Sequence, residues 1–125
     1  MTVRDLVAGD VVWVAPEATL REGAERMVST EVGSVAVEVD GALEGIFTER
    51  DLLRAVAEGA DLDTEPISTW MTEYPDSFHP EMDVEEAAEW MLATGFRHLP
   101  VVDGGDVVGV ISIKDVLWAL TDEER

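Results

Sequence analysis

The chain has 125 residues, no cysteine, and 28 aspartates and glutamates against eight lysines and arginines, a formal net charge of −20. That length suits one ordinary domain or two small units sharing a core, and with 46% apolar residues the chain can bury such a core rather than stay disordered. The lack of cysteine excludes a disulfide framework, a thiolate zinc site and a cysteine nucleophile, and the acidic balance opposes binding to nucleic acid or anionic lipid, which needs clustered lysine and arginine.

The opening residues, Met1-Thr2-Val3-Arg4-Asp5, lack the basic region and apolar stretch of a secretory signal. No apolar run approaches the roughly 18 residues of a membrane span, so a soluble, cytoplasmic protein is the expectation. A short strand is predicted around Val11 to Val14. Thr19-Leu-Arg-Glu22 then forms a capping box opening a helix with Leu20, Ala24, Met27 and Val28 at helical spacing. A β-rich run, Ser34 to Val39, leads through the turn Asp40-Gly41 into a second strand, Leu43 to Phe47. A second helix begins at Thr48 and ends near Gly59, a suitable C-terminal cap. Ala60 to Pro66 reads as a linker.

The same series then begins again. A short strand is expected near Ser77-Phe78, and Asp83-Val-Glu-Glu86 is a second capping box, followed by Val84, Ala88, Met91 and Leu92 at helical spacing. Leu99-Pro-Val-Val102, the turn Asp103-Gly104-Gly105 and the strand Val107 to Ile111 repeat the hairpin, and Ser112 opens the last helix. Slid by 64 residues, Pro16-Glu17 falls on Pro80-Glu81, Gly45 on Gly109 and Asp51 on Asp115, with Met27/Met91 and Leu53/Leu117 among the further identities. One register holds without a gap from Val3–Glu58 against Ile67–Asp122. The chain is therefore two copies of one β-α-β-β-α unit, residues 1–63 and 64–125, in the α+β class. A unit this small leaves a sheet face exposed alone, so the two are expected to pack together.

The residues best placed for chemistry lie in Gly45-Ile-Phe-Thr-Glu-Arg-Asp51 and Gly109-Val-Ile-Ser-Ile-Lys-Asp115. Each strand delivers a hydroxyl residue, followed three positions on by an aspartate, into a helix start. Such a pair is first of all a capping box. A hydroxyl, a carboxylate and helix amides can also hold a sugar diol, since a carboxylate accepts hydrogen bonds from both ribose hydroxyls. The two histidines, His79 and His98, have no acidic or imidazole partners at metal-ligand spacing and read as surface or pocket-lining residues. Trp13, Trp70, Trp90 and Trp118 read as packing residues, and any left exposed would suggest a dimer face. Glu85-Glu86 with Glu89 reads as a solvated helix face. No P-loop, nucleophile elbow or HExxH motif occurs.

The tandem with its Thr-Glu-Arg-Asp-Leu-Leu junction, with His79-Pro80-Glu81 before a helix and Arg97-His98-Leu99-Pro100-Val101-Val102-Asp103 entering a hairpin, resembles the cystathionine-β-synthase (CBS) domain family over nearly the whole chain. The resemblance implies a CBS pair, two units meeting through their sheets about a pseudo-twofold axis with a cleft on either side. It implies clefts for adenosine-containing ligands: AMP, ADP, ATP or S-adenosylmethionine. Carried over to this chain, Thr48, Asp51, Ser112 and Asp115 fall where the family contacts ribose. Arg97 and His98 fall where members contact phosphate, with Arg50 and Lys114 beside them. Val35 to Val37 and Leu99, Pro100 and Val101 fall where members pack on the base. Gly33-Ser34 stands in copy one where copy two has Arg97-His98, so the two sites are expected to be unequal.

The expected function is that of a stand-alone regulatory module and not an enzyme, because no nucleophile–base pair or metal set can be assembled. It would sense an adenine nucleotide, need no obligatory cofactor, signal to a protein effector and form a homodimer. The alternative is a structural or protein-binding CBS pair with empty clefts. An acidic excess with Lys114 as the only lysine is the pattern of a salt-rich cytosol, as in a halophilic archaeon, where screening relieves self-repulsion.

Overall fold

The computed structural model describes residues 1–7 and 10–121. It forms two compact units, one built from residues 11–75, the other joining the opening residues, 1–7 and 10, to residues 76–121. The division at 63/64 counts repeats along the chain. In space, the opening segment of repeat one is built into the second unit, and that of repeat two into the first.

In the first unit, β1 (Trp13–Val14) runs parallel to β2 (Ser34–Val39), which pairs antiparallel with β3 (Ala42–Thr48), and β3 with the short β4 (Thr72–Glu73). Two helices, α1 (Leu20–Thr30) and α2 (Glu49–Ala57), complete it. Alternation along the strands turns Val35, Val37 and Phe47 to one face, where Val14, Leu20, Met27, Ala55 and Ile67 join them in a dry core. The other strand face carries Ser34, Ala36, Ile46 and Thr48. The expected linker is docked here. Leu20 and Arg21 donate their amides to the carbonyls of Glu65 and Leu62, and Ile67 is fully buried. Arg21 also pairs with Asp63, and this hydrogen bond holds the Asp63 carboxyl below its ordinary value.

The second unit repeats the plan with α3 (Val84–Thr94), the hairpin of β5 (His98–Asp103) and β6 (Asp106–Ser112), and α4 (Ile113–Thr121). Its core substitutes position for position: Phe78 for Val14, Val84 for Leu20, Leu99 for Val35, Ile111 for Phe47 and Val3 for Ile67. The large ring moves from the central strand in one unit to the opening segment in the other, which conserves total volume. A 3-10 turn, Val3–Leu6, closes this core, and Arg4 bridges Glu81 at 2.9 Å and Asp103 at 3.1 Å.

Two expectations are corrected. The strand near Ser77-Phe78 contracts to one bridge between Phe78 and Val101. In unit one, Ala36 donates its amide to the carbonyl of Val12 at 2.9 Å; the equivalent of Ala36 is Pro100, which has no N–H to give. The second capping box is also not formed, for Asp83 makes no side-chain cap. The start of α3 is instead held by the backbone: Val84 donates to the Met1 carbonyl, and Thr2 bridges Asp83. The first box forms as expected, Thr19 Oγ1 accepting from the Glu22 amide at 3.2 Å.

Repeat comparison exposes two testable strains. Helix α1 ends on Glu31 at φ 57°, a left-handed conformation that α3 gives to Gly95 at φ 81°. Glu31→Gly is expected to raise unfolding free energy by about 1 kcal/mol, read by urea denaturation, because a side chain in that region costs about 1–2 kcal/mol. Gly45 is required for close approach: a Cβ there would lie 2.8 Å from the Thr72 carbonyl oxygen and 2.6 Å from Met71 Sδ. Gly45→Ala should lower the same free energy by about 1–3 kcal/mol through overpacking against backbone.

Candidate functional site

Each unit builds the same corner where its hairpin enters a helix. At the first, the Thr48 amide donates to Asp51 Oδ2 at 2.9 Å while Asp51 returns its amide to Thr48 Oγ1 at 3.2 Å. The Glu49 amide is taken by the Gly33 carbonyl at 2.9 Å. At the second, Ser112 and Asp115 exchange the same bonds at 2.8 and 3.1 Å, and Ile113 donates to the Arg97 carbonyl at 2.7 Å. The capping reading therefore holds at both corners. It leaves chemistry to spare, since one carboxylate oxygen and the hydroxyl proton are not used by these bonds. Thr48 and Ser112 close their strands on the face opposite the helix-packed core, so these groups open away from it.

The corners share geometry but not charge. Asp51 is buried, and its Oδ1 faces Arg54 Nη2 at 3.8 Å. Arg54 is itself held by the Trp70 carbonyl at 3.2 Å and lies over the Trp70 ring, 5.6 Å from its centroid. Trp70 in turn donates Nε1–H to Glu65 at 2.8 Å. The equivalent of Arg54 is Trp118, an uncharged residue, and Asp115 is half-buried. Arg54 was not marked by the repeat, because its copy does not match; the signal present was its spacing of three from Asp51, a helical ion-pair position.

Around the second corner, Arg97 is exposed beside the strand entrance and His98 sits half-buried in register with Ser112. The corresponding register partner of Thr48 is Ser34, a buried hydroxyl. Arg50 and Lys114 occupy the second helical position of α2 and α4, both exposed. Neither these two nor Arg97 takes part in any side-chain hydrogen bond or ion pair among the described residues. Arg4, Arg21, Arg26 and Arg54 all do. In a chain with 28 acidic side chains, cations left with no side-chain partner are conspicuous, and these three lie at the two corners.

Val35, Val37, Leu99 and Val101 turn their side chains wholly into the cores, with exposures of 2% or less. Ala36 and Pro100 alternate to the other face and are buried as well. Among the described residues, no group of three or more metal-binding side chains occurs and no helix is long and apolar enough to cross a membrane.

Comparison with known proteins agrees with this repeat. The CBS domain-containing protein YhcV of Bacillus subtilis is 35% identical over 116 residues, 92% of this chain and 82% of the relative. The crystal structure of the CBS-domain containing protein ATU1752 from Agrobacterium tumefaciens matches with a TM-score of 0.89 and 37% identity, over 96% of this chain and 99% of that one. The CBS domain protein PAE2072 from Pyrobaculum aerophilum, solved as a complex with AMP, matches with a TM-score of 0.86 and 31% identity, over 99% and 93%. The family model for the CBS domain matches twice, at residues 3–58 and 67–122, and the chain belongs to the CBS domain family as a tandem pair.

Proposed function

We propose that the chain is a regulatory module that binds an adenosine phosphate and passes its occupancy to a partner protein. Thr48, Asp51, Ser112 and Asp115 hold ribose hydroxyls; Arg97 and His98, with Arg50 and Lys114 beside them, receive the phosphate. The observation that carries this reading is the trio Arg50, Arg97 and Lys114 at the two corners of a −20 chain, cations with no side-chain hydrogen bond or ion pair among the described residues. With no side-chain partner of their own, these cations leave an anionic ligand as the natural counter-charge. The AMP complex of the Pyrobaculum relative supports the choice of ligand class. Side chains of Val35, Val37, Leu99 and Val101 are committed to the cores, so a base at these strands would meet backbone rather than those side chains.

Few cations serve each corner, and Glu49 replaces Ile113 at the first. A monophosphate therefore suits this module better than a triphosphate, whose added charge meets the acidic field. Signalling requires the ligand to favour one arrangement of the protein over another, and only that differential affinity can be passed on. The working form is a homodimer. Scaffolding without ligand is the competing reading, and the exposed apolar helix residues favour it to the extent that they serve a partner.

Calorimetric titration in molar KCl, which screens the acidic surface, tests both. AMP should bind, ATP should bind more weakly, and Asp51→Ala and Asp115→Ala should each weaken the AMP site they line about tenfold, a loss near 1.4 kcal/mol. Aspartate variants that bind AMP like the wild type would remove the ribose assignment. Absence of any thermal stabilisation by AMP, ADP, ATP or S-adenosylmethionine would favour the scaffold.

A further inference from the structure

Asp51 stands at the end of a series of side chains whose counterparts the second repeat has replaced. Its Oδ2 accepts from the Thr48 amide in the helix cap, and its Oδ1 faces Arg54 Nη2 at 3.8 Å, too far for a hydrogen bond and near enough for an ion pair. Arg54 is fixed from two further sides. The same Nη2 donates to the Trp70 carbonyl at 3.2 Å, and the guanidinium carbon lies 5.6 Å from the centroid of the Trp70 ring. Trp70 closes the 3-10 turn Ile67–Thr69, its amide held by the Ile67 carbonyl at 2.9 Å, and it donates Nε1–H to Glu65 at 2.8 Å. At the 64-residue spacing, the positions of Arg54, Trp70 and Glu65 are taken by Trp118, Leu6 and Met1, none of them with a charged side chain. Three residues that touch in series have changed together, while the hydroxyl–aspartate cap beside them is kept.

Stability does not account for this series. The Arg54 side chain is 56% exposed, and an ion pair so open to solvent contributes little. The geometry suits a positioned acceptor instead. A carboxylate held through one oxygen can still turn about its last side-chain bond, where the torsional wells are broad. Ordering it when a ligand arrives costs affinity. An arginine opposite the second oxygen removes that freedom. Because its Nη2 is committed to the Trp70 carbonyl, it stops short of a hydrogen bond and leaves the Oδ1 lone pairs to another donor.

We propose that Arg54 is a positioning residue that sets how strongly the first corner selects ribose over deoxyribose, by holding Asp51 Oδ1 ready for a sugar hydroxyl. This rests on the ribose role given to Asp51 above and adds the group that enforces it. The second corner, with Trp118 in that place, tolerates a deoxyribose better. The two corners then differ in the sugar they select as well as in the cations they present to a phosphate.

AMP and 2′-deoxy-AMP, titrated into the intact wild type, Arg54→Gln and Arg54→Lys in molar KCl, test this. Amide shifts at residues 48–51 and at residues 112–115 give each corner its own affinity. The wild type is expected to prefer AMP about tenfold at the first corner, the value of one hydrogen bond to a charged acceptor, and less at the second. Arg54→Gln should cut the first preference several-fold without moving the second, and Arg54→Lys, which keeps the charge, should recover part of it. The ratio of the two affinities cancels any general attraction of an arginine for phosphate, and the second corner reports that each variant is folded. A ratio at the first corner that is unchanged or raised in Arg54→Gln would overturn the role of Arg54 while keeping the ribose assignment. Absence of shifts at the first corner with either nucleotide would remove the ribose assignment of Asp51 and the proposal with it.

Discussion

The exchange of hydrogen bonds between a strand-end hydroxyl and the aspartate three residues on is the constraint from which the rest of each unit follows. Thr48 with Asp51, and Ser112 with Asp115, stop the last strand of the hairpin and start a helix in a single step. Once that corner is made, the helix must fold back over the strands, and its apolar side meets the face holding Phe47 or Ile111. The same corner turns the hydroxyl to the opposite strand face, so packing and site geometry share one cause. Its carboxylate serves the backbone with one oxygen, and the other takes no part in the cap.

Around this shared corner the repeats have diverged in charge rather than in shape. The hydrogen-bond lengths at the two corners agree within about 0.2 Å, well inside ordinary variation. Yet Gly33, Glu49 and Arg54 of repeat one stand where repeat two has Arg97, Ile113 and Trp118. An arginine already faces Asp51, at a partly solvated separation where such pairs contribute little to stability. With it, Glu49, Arg50, Asp51 and Arg54 balance in formal charge at the first corner, whereas Arg97 and Lys114 outnumber Asp115 at the second. The helices as a whole divide the other way, with four arginines balancing four acidic residues in α1 and α2, and Lys114 alone against four acidic residues in α3 and α4.

Much of this was legible in the sequence because a tandem repeat supplies its own comparison. The hairpins, the four helices and both corners could be read from apolar spacing, turn residues and the hydroxyl-x-x-Asp pattern. What could not be read depends on contacts distant in sequence. Nothing local says that Val3 to Val7 belongs with the core of residues 76–121, or that the Glu65 and Leu62 carbonyls of the apparent linker accept from the first turn of α1. Pro100 was in view, but its cost to the parallel strand emerges only when the bond from Ala36 to Val12 is known. Asp83 looked like a cap by residue type; the backbone of Met1 and Thr2 holds that helix start instead. A repeat marks the positions that agree, and Arg54 stands where the second copy has Trp118.

We propose both hydroxyl–aspartate corners as the places that hold an adenosine phosphate. Backbone amide NMR during titration of the intact chain with AMP in molar KCl tests it directly, because the corner amides report contact without any substitution. Saturable shifts are expected to concentrate at residues 48–51 and 112–115, with Arg97 and His98 moving on the same isotherm. Saturable binding that leaves both corners unmoved, or no binding at all, would contradict it.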